Sequence, residues 1–163
     1  MAIQGAVRLD KIQASKGGNI ESVKNLTADM QNGFVFHAED LSSGEREAKD
    51  VIQPTTASIT TKSIVLHASV ETVYLAGQTL LDYYLPQGQV GRGIHLSKGD
   101  IVTITDNVIT GTTAVGKYVI PQNASFQFAA ANDLTGGTVF QGKVIAKENI
   151  YGQPATVIEV LAN

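Results

Sequence analysis

The stretch from Gly91 to Thr105 constrains this chain more than any other: Gly91-Arg92-Gly93-Ile94-His95-Leu96-Ser97-Lys98-Gly99-Asp100-Ile101-Val102-Thr103-Ile104-Thr105. It reads as strand, tight turn, strand, with Lys98-Gly99-Asp100 as the turn. Val102 and Ile104 share one face, while Ile101, Thr103 and Thr105 share the other, the period of a strand with one face buried. Gly99 supplies the positive φ that a tight hairpin turn demands. The unit predicts an all-β scaffold and leaves little chemistry on display.

The same grammar recurs along the chain. Asn32-Gly33 is the strongest short turn signal, and the strand Gly33 to Ala38 follows it with Phe34 and Phe36 on one side. Glu45 to Val51 is charged and fits an exposed strand or a single helical turn. Ser63 to Ala68 is apolar almost throughout, as expected of a strand covered on both faces. Further strands are expected at Gly93 to Leu96, Asp100 to Thr105, Gly116 to Pro121, Ser125 to Ala129, Val139 to Lys147 and Ala155 to Leu161. One helix is expected over Ala76 to Leu85, where Leu81 and Leu85, and Leu80 and Tyr84, stand four apart, with Pro86 and Gly88 ending it. Parallel βαβ winding is ruled out because the intervening helices are absent. The expected fold is therefore mainly β: a compact β-barrel or β-sandwich with one short helix and an extended N-terminal arm.

Residues 1–19 form that arm, and residues 20–163 a single β-rich domain. Within the arm, Ala6 to Ile12 is a short strand candidate with Val7 and Leu9 on one face, and Gly17-Gly18 marks a flexible break. An unanchored end frays, so Val7, Leu9 and Ile12 need a surface, on this subunit or on a partner, and are the candidate partner contacts. A chain of 163 residues suits one domain. The net charge of −3, with no cluster of Lys and Arg, argues against nucleic acid as a partner. No apolar run approaches the ~18 residues of a membrane span. The absence of cysteine removes disulfides and thiolate metal sites. The first residues lack the pattern of a signal peptide, so a protein made in a bacterial-type cytoplasm is expected.

Candidate chemistry is thin. His37, His67 and His95, with Glu39 and Asp40 nearby, fall in different strand candidates and form no short His-x-His or His-x-x-x-His pair. They read as packed or hydrogen-bonded histidines, and no metal site is expected. No G-x-S-x-G elbow occurs. Asp40, Asp82 and Asp100 are the first candidates for paired carboxylates, but Asp100 after Gly99 reads as a turn cap. Gly91-Arg92-Gly93 lacks the rest of a phosphate loop, so its glycines are read as allowing tight curvature. Tyr83 and Tyr84 suit either core packing or an aromatic contact patch. Neither a catalytic residue nor a cofactor is expected, and the chain is not read as an enzyme.

Taken in order, Asn32-Gly33, Gly44-Glu45-Arg46-Glu47, Ser63 to Ala68, Arg92 to Asp100 and Val119-Ile120-Pro121-Gln122-Asn123 resemble a group of small bacteriophage head proteins. These are the capsid decoration, cement or head-associated proteins found beside the major capsid protein. The resemblance spans Asn25 to Leu161. It implies a structural virion protein whose all-β body sits on the outside of an icosahedral shell, often as a homo-oligomer and in particular a trimer, with the major capsid protein as partner. It carries no catalytic residues. The alternative is a carbohydrate- or host-surface-binding head-fibre or tail-associated module, for which Tyr74, Tyr83, Tyr84, Tyr118 and Tyr151 would supply the aromatic platform. A third reading is a hydrolase whose carboxylates converge only in space.

Overall fold

A computed structural model describes residues 4–8 and 19–163. The chain is mainly β, as expected, and it builds a closed barrel and a second sheet. Five strands, β1 (Ile20–Lys24), β2 (Val35–Leu41), β3 (Ala48–Ile52), β4 (Val65–His67) and β5 (Val90–His95), close into a barrel in the order β1-β3-β2-β4-β5. Six more, β6 (Ile101–Thr105), β7 (Ile109–Thr110), β8 (Tyr118–Pro121), β9 (Phe128–Ala131), β10 (Gln141–Ile150) and β11 (Gln153–Ala162), form a sheet ordered β6-β11-β10-β8-β9-β7. One buried apolar cluster runs through both, from Val23, Phe36 and Leu66 to Ile104, Phe128 and Ile158. Two ring pairs contribute to it: Phe34 stacks on Phe126 across the junction at 6.0 Å, and Phe128 packs on Phe140 at 5.1 Å.

Three expectations are corrected. Gly91 to Thr105 does contain two strands and a Gly99 turn at φ +93°, but it is not a hairpin. β5 pairs with β1 and β4, whereas β6 pairs with β11. The turn itself makes the crossing. Asp100 caps it by accepting the Ser97 N–H at 2.7 Å, while Gly99 N–H and Val160 N–H bond to Val160 and Asp100 carbonyls across to β11. β6 is also buried on both faces except at Ile101.

The helix expected over Ala76 to Leu85 is a single 3-10 turn, Leu80–Asp82. Gly77 sits at φ +84°, and Thr79 is extended, capped reciprocally by the Asp82 carboxylate, which accepts the Thr79 N–H at 2.7 Å. Tyr83 is extended again, so the helical period is never propagated. The charged segment Glu45 to Val51 resolves as strand β3 at its far end.

Of the expected arm, Leu9 and Ile12 lie outside the described residues. Val7 finds its surface on this chain: it is 2% exposed and bridges Ile104 on the edge of β6. Arg8 N–H donates to the Thr103 carbonyl at 3.1 Å and Thr105 N–H to the Ala6 carbonyl at 3.1 Å. Residues 4–8 thus lie along β6 through an isolated β-bridge, where Ala6 and Val7 gain burial that a free end cannot offer.

The barrel is narrow, and this explains Gly91-Arg92-Gly93. A Cβ on Gly93 would stand 2.7 Å from Val65 Cγ1 and 3.1 Å from Val23 Cγ1; one on Gly91 would stand 2.4 Å from Leu85 Cδ2. Both glycines leave room for side chains from the facing strands. We expect Gly93→Ala to cost about 1–3 kcal/mol through overpacking. Gly136→Ala, where an added Cβ meets nothing within 4 Å, should change stability by less than about 0.5 kcal/mol. Urea unfolding of the two variants checks this; equal midpoints would contradict the account of the barrel interior.

Candidate functional site

The residues from 68 to 89 connect β4 to β5 and carry the largest gathering of exposed apolar side chains. Both ends of this loop are pinned. At its start the buried Asn32 amide grips Ser69 twice, with Nδ2 donating to the Ser69 carbonyl and Oδ1 accepting the Ser69 N–H, each at 2.9 Å. At its end Leu85 and Met30 exchange two backbone hydrogen bonds at 2.8 Å, and Gly88 N–H donates to the Asn25 carbonyl at 2.8 Å. Between the pins the loop stands out: Tyr74 is 92% exposed and Leu75 68%. Val70, Leu80, Tyr84 and Val90 are also exposed.

Two shallow clefts flank Val70. One, of about 650 Å³, lies against β5 and is lined by Val70, Tyr83, Tyr84, Leu85, Val90 and Arg92. The other, of about 550 Å³, runs to the β10–β11 turn and is lined by Val7, Arg8, Glu71, Ile150 and Tyr151. Tyr151 and Gly152 form that turn with φ of +51° and +84°. Two positive φ values suit a tight hairpin turn, but tyrosine at the first of them is strained. Its hydroxyl reaches 3.4 Å from Glu71 Oε2.

Beneath the first cleft lies a Ser–His pair. Ser69 Oγ is 3.0 Å from His67 Nε2, and His67 Nδ1 is 2.9 Å from the Gln31 carbonyl. The carbonyl accepts only, so Nδ1 carries the proton and Nε2 accepts from the Ser69 hydroxyl. Burial lowers the imidazole pKa to about 4, against an opposing hydrogen bond to Gln31. Such a ring is a weak base at neutral pH, and Ser69 Oγ already accepts the Arg92 N–H at 2.9 Å. The pair therefore stitches strand to loop. Nearby, burial raises the pKa of Glu71, opposed by hydrogen bonds from Asn32, Tyr151 and the Val7 backbone. Tyr83 is raised likewise by burial, against a hydrogen bond to Ser69, with the Glu71 charge adding to the rise.

The remaining candidates are dispersed. His37 is buried, with Nδ1 2.8 Å from the Ser63 carbonyl and Nε2 2.8 Å from Ser58 Oγ. His95 Nε2 lies 2.8 Å from Glu21 Oε1. Among the described residues no three His, Asp or Glu side chains gather as a metal site. Asp82 and Asp100 serve as local caps, while Asp40 is exposed at the end of β2. Of the tyrosines, Tyr83, Tyr84 and Tyr151 line the clefts, Tyr74 stands on the loop, and Tyr118 is half-buried in β8 of the other sheet. Val70, Leu75 and Val90 are the surface residues that motif reading passes over. One signal marks them: between Lys62 and Arg92 the sequence has no lysine or arginine. No protein family, curated protein or solved structure matches the chain.

Two measurements probe this region. His67 binds its proton at about 4 when folded and near 6.5 when unfolded, so the unfolded state takes up protons first as pH falls. Stability should be full above about pH 6.5, decline by roughly 3 kcal/mol down to about pH 4, and level off below. Glu71 acts in the opposite sense, so the comparison is with His67→Asn, whose unfolding midpoint should be lower but flatter across that window. Parallel curves for the two proteins would remove His67 as the source. Separately, Tyr151→Asn should raise the unfolding free energy by about 1 kcal/mol by relieving the left-handed strain; a lower thermal midpoint would show instead that the tyrosine ring holds the turn.

Proposed function

We propose that this protein is a structural component of a bacteriophage virion, a decoration or cement protein that binds the outside of the capsid and braces it. Its partner in this reading is the major capsid protein, and it acts as a homo-oligomer without catalysis. The observation that carries the reading is the β4–β5 loop: Tyr74 and Leu75 held in water on a base pinned at both ends, within a stretch free of lysine and arginine. Soluble monomers seldom expose such side chains together, and depletion of lysine alongside tyrosine enrichment is the composition of protein interfaces. Burying a large apolar side chain contributes about 1.5–3 kcal/mol. Because the base is rigid, little ordering entropy opposes docking. Repeated over a shell, each contact favours the state that presents the site and resists its swelling or rupture.

The resemblance to head-associated proteins supports the same reading, as does the all-β body. The contact, however, moves from the N-terminal residues to the loop, since Val7 is committed to the protein's own core. Mixing purified protein with undecorated capsids and pelleting them tests this. The wild type should co-sediment, and Tyr74→Ala combined with Leu75→Ala should lose affinity tenfold or more while remaining folded. Wild-type protein left wholly in the supernatant would end the proposal. Three exposed tyrosines on this side, Tyr74, Tyr84 and Tyr151, favour as second reading a host-surface glycan module, and a positive glycan array with no capsid binding would select it.

A further inference from the structure

We propose that the cleft against β5 receives the end of the β2 strand of a second copy, so that the chain associates head to tail through two different patches. The first patch is built around Arg92. Its guanidinium makes no hydrogen bond or ion pair among the described residues, although the residue is half-buried in the cleft wall. Around it stand Val70, Tyr84, Leu85, Pro86 and Val90, and no other cation lines the cleft. Arginine set among tyrosine and aliphatic side chains is the composition of an interface hot spot, and it calls for a carboxylate with an apolar neighbour.

The protein's own surface offers that chemistry. β2 ends on Glu39, Asp40 and Leu41, all exposed, with Leu41 at 57%. Pairing with β3 shifts register between Ala38 and Leu41, so the alternation that would turn one of these residues inward is broken. Glu39 is engaged by Lys62, and Glu45 beyond it by Lys24 at 2.8 Å. Asp40 has no such partner among the described residues. An unpaired carboxylate beside an exposed leucine is the complement of an unpaired guanidinium in an apolar cleft.

Within the single chain the two groups do not meet, since neither Arg92 nor Asp40 has an ion-pair partner among the described residues. Along the barrel, Val90 pairs with Lys24 and Lys24 with Asp50, which places the cleft at one end. Leu41 pairs with Lys49, Lys49 with Val23 and Val23 with Gly91, so the end of β2 lies in register with the cleft wall, across β3 and β1 from it. Joined head to tail, two different patches make a heterologous interface, which closes as a ring when the rotation between copies permits and otherwise extends as a chain. The desolvated Arg92–Asp40 pair fixes register, and Leu41 seated among Val70, Tyr84 and Val90 supplies the burial.

The test is a charge exchange read by sedimentation of the full chain, without capsids, so that it stands or falls apart from the capsid reading. The wild type should associate with rising concentration. Arg92→Glu and Asp40→Lys should each weaken association tenfold or more, and the double variant should recover most of the loss. Mixed in equal amounts, the two single variants should associate with each other although each alone stays apart, since every junction between them joins opposite charges. Circular dichroism confirms that each variant is folded. A wild type that is monomeric at every concentration, single variants that associate normally, or a folded double variant that stays apart would each overturn the proposal.

Discussion

The buried side-chain amide of Asn32 holds this structure together at the point where its parts meet. With both of its polar atoms bonded to the backbone of Ser69, it replaces a stretch of ladder between the start of β2 and the exit from β4. Gly33, beside it, takes the turn at φ +89° and donates its N–H to the His67 carbonyl at 2.8 Å. Gly5 lies so close that an added Cβ would meet the Asn32 carbonyl at 2.2 Å. Barrel, loop and the residues 4–8 that cover β6 therefore converge on one residue. An amide left half-bonded in that position would carry the full desolvation penalty of a buried polar group.

Much of the scaffold was readable because strands announce themselves by alternation and turns by glycine. Phe34 and Phe36, Val102 and Ile104, and Phe128 all stand where their period places them, in the core. What could not be read was pairing. β5 and β6 are neighbours in sequence and look like a hairpin, yet the bonds that decide the matter run to Val160, some 60 residues later. β1 escaped notice for a related reason: Glu21 and Lys24 look like loop residues until Lys49, His95 and Glu45 supply their partners. The apparent helix failed because its period was broken by backbone geometry at Gly77 and Thr79 that no spacing of leucines reports.

The candidate surface was only half legible. Tyrosines are conspicuous and were noted as such, but whether a tyrosine faces water or core is a tertiary fact. Arg92 was noted for its glycine neighbours, whereas its lack of a charge partner emerges only once every nearby carboxylate has been accounted for. The three histidines are the converse case. They read as structural, and His37 and His67 each have both ring nitrogens bonded within their own neighbourhood. Assembly of the fold is also non-local. β1 must find β5 across some 70 residues to close the barrel, and residues 4–8 can dock only on a β6 edge already in place.

The interval without lysine or arginine has a further consequence for resistance to proteolysis. The loop around Tyr74 and Leu75, exposed at every residue from 74 to 80, is a segment an endoprotease would ordinarily open. Enzymes of trypsin specificity cut after basic residues, and between Lys62 and Arg92 they find none. This exposed loop is thus chemically silent to that class of protease, whereas an enzyme that cuts after aromatic residues would meet Tyr74 in the open. Such a surface can stay apolar enough to bind without becoming the first place at which a tryptic environment dismantles it.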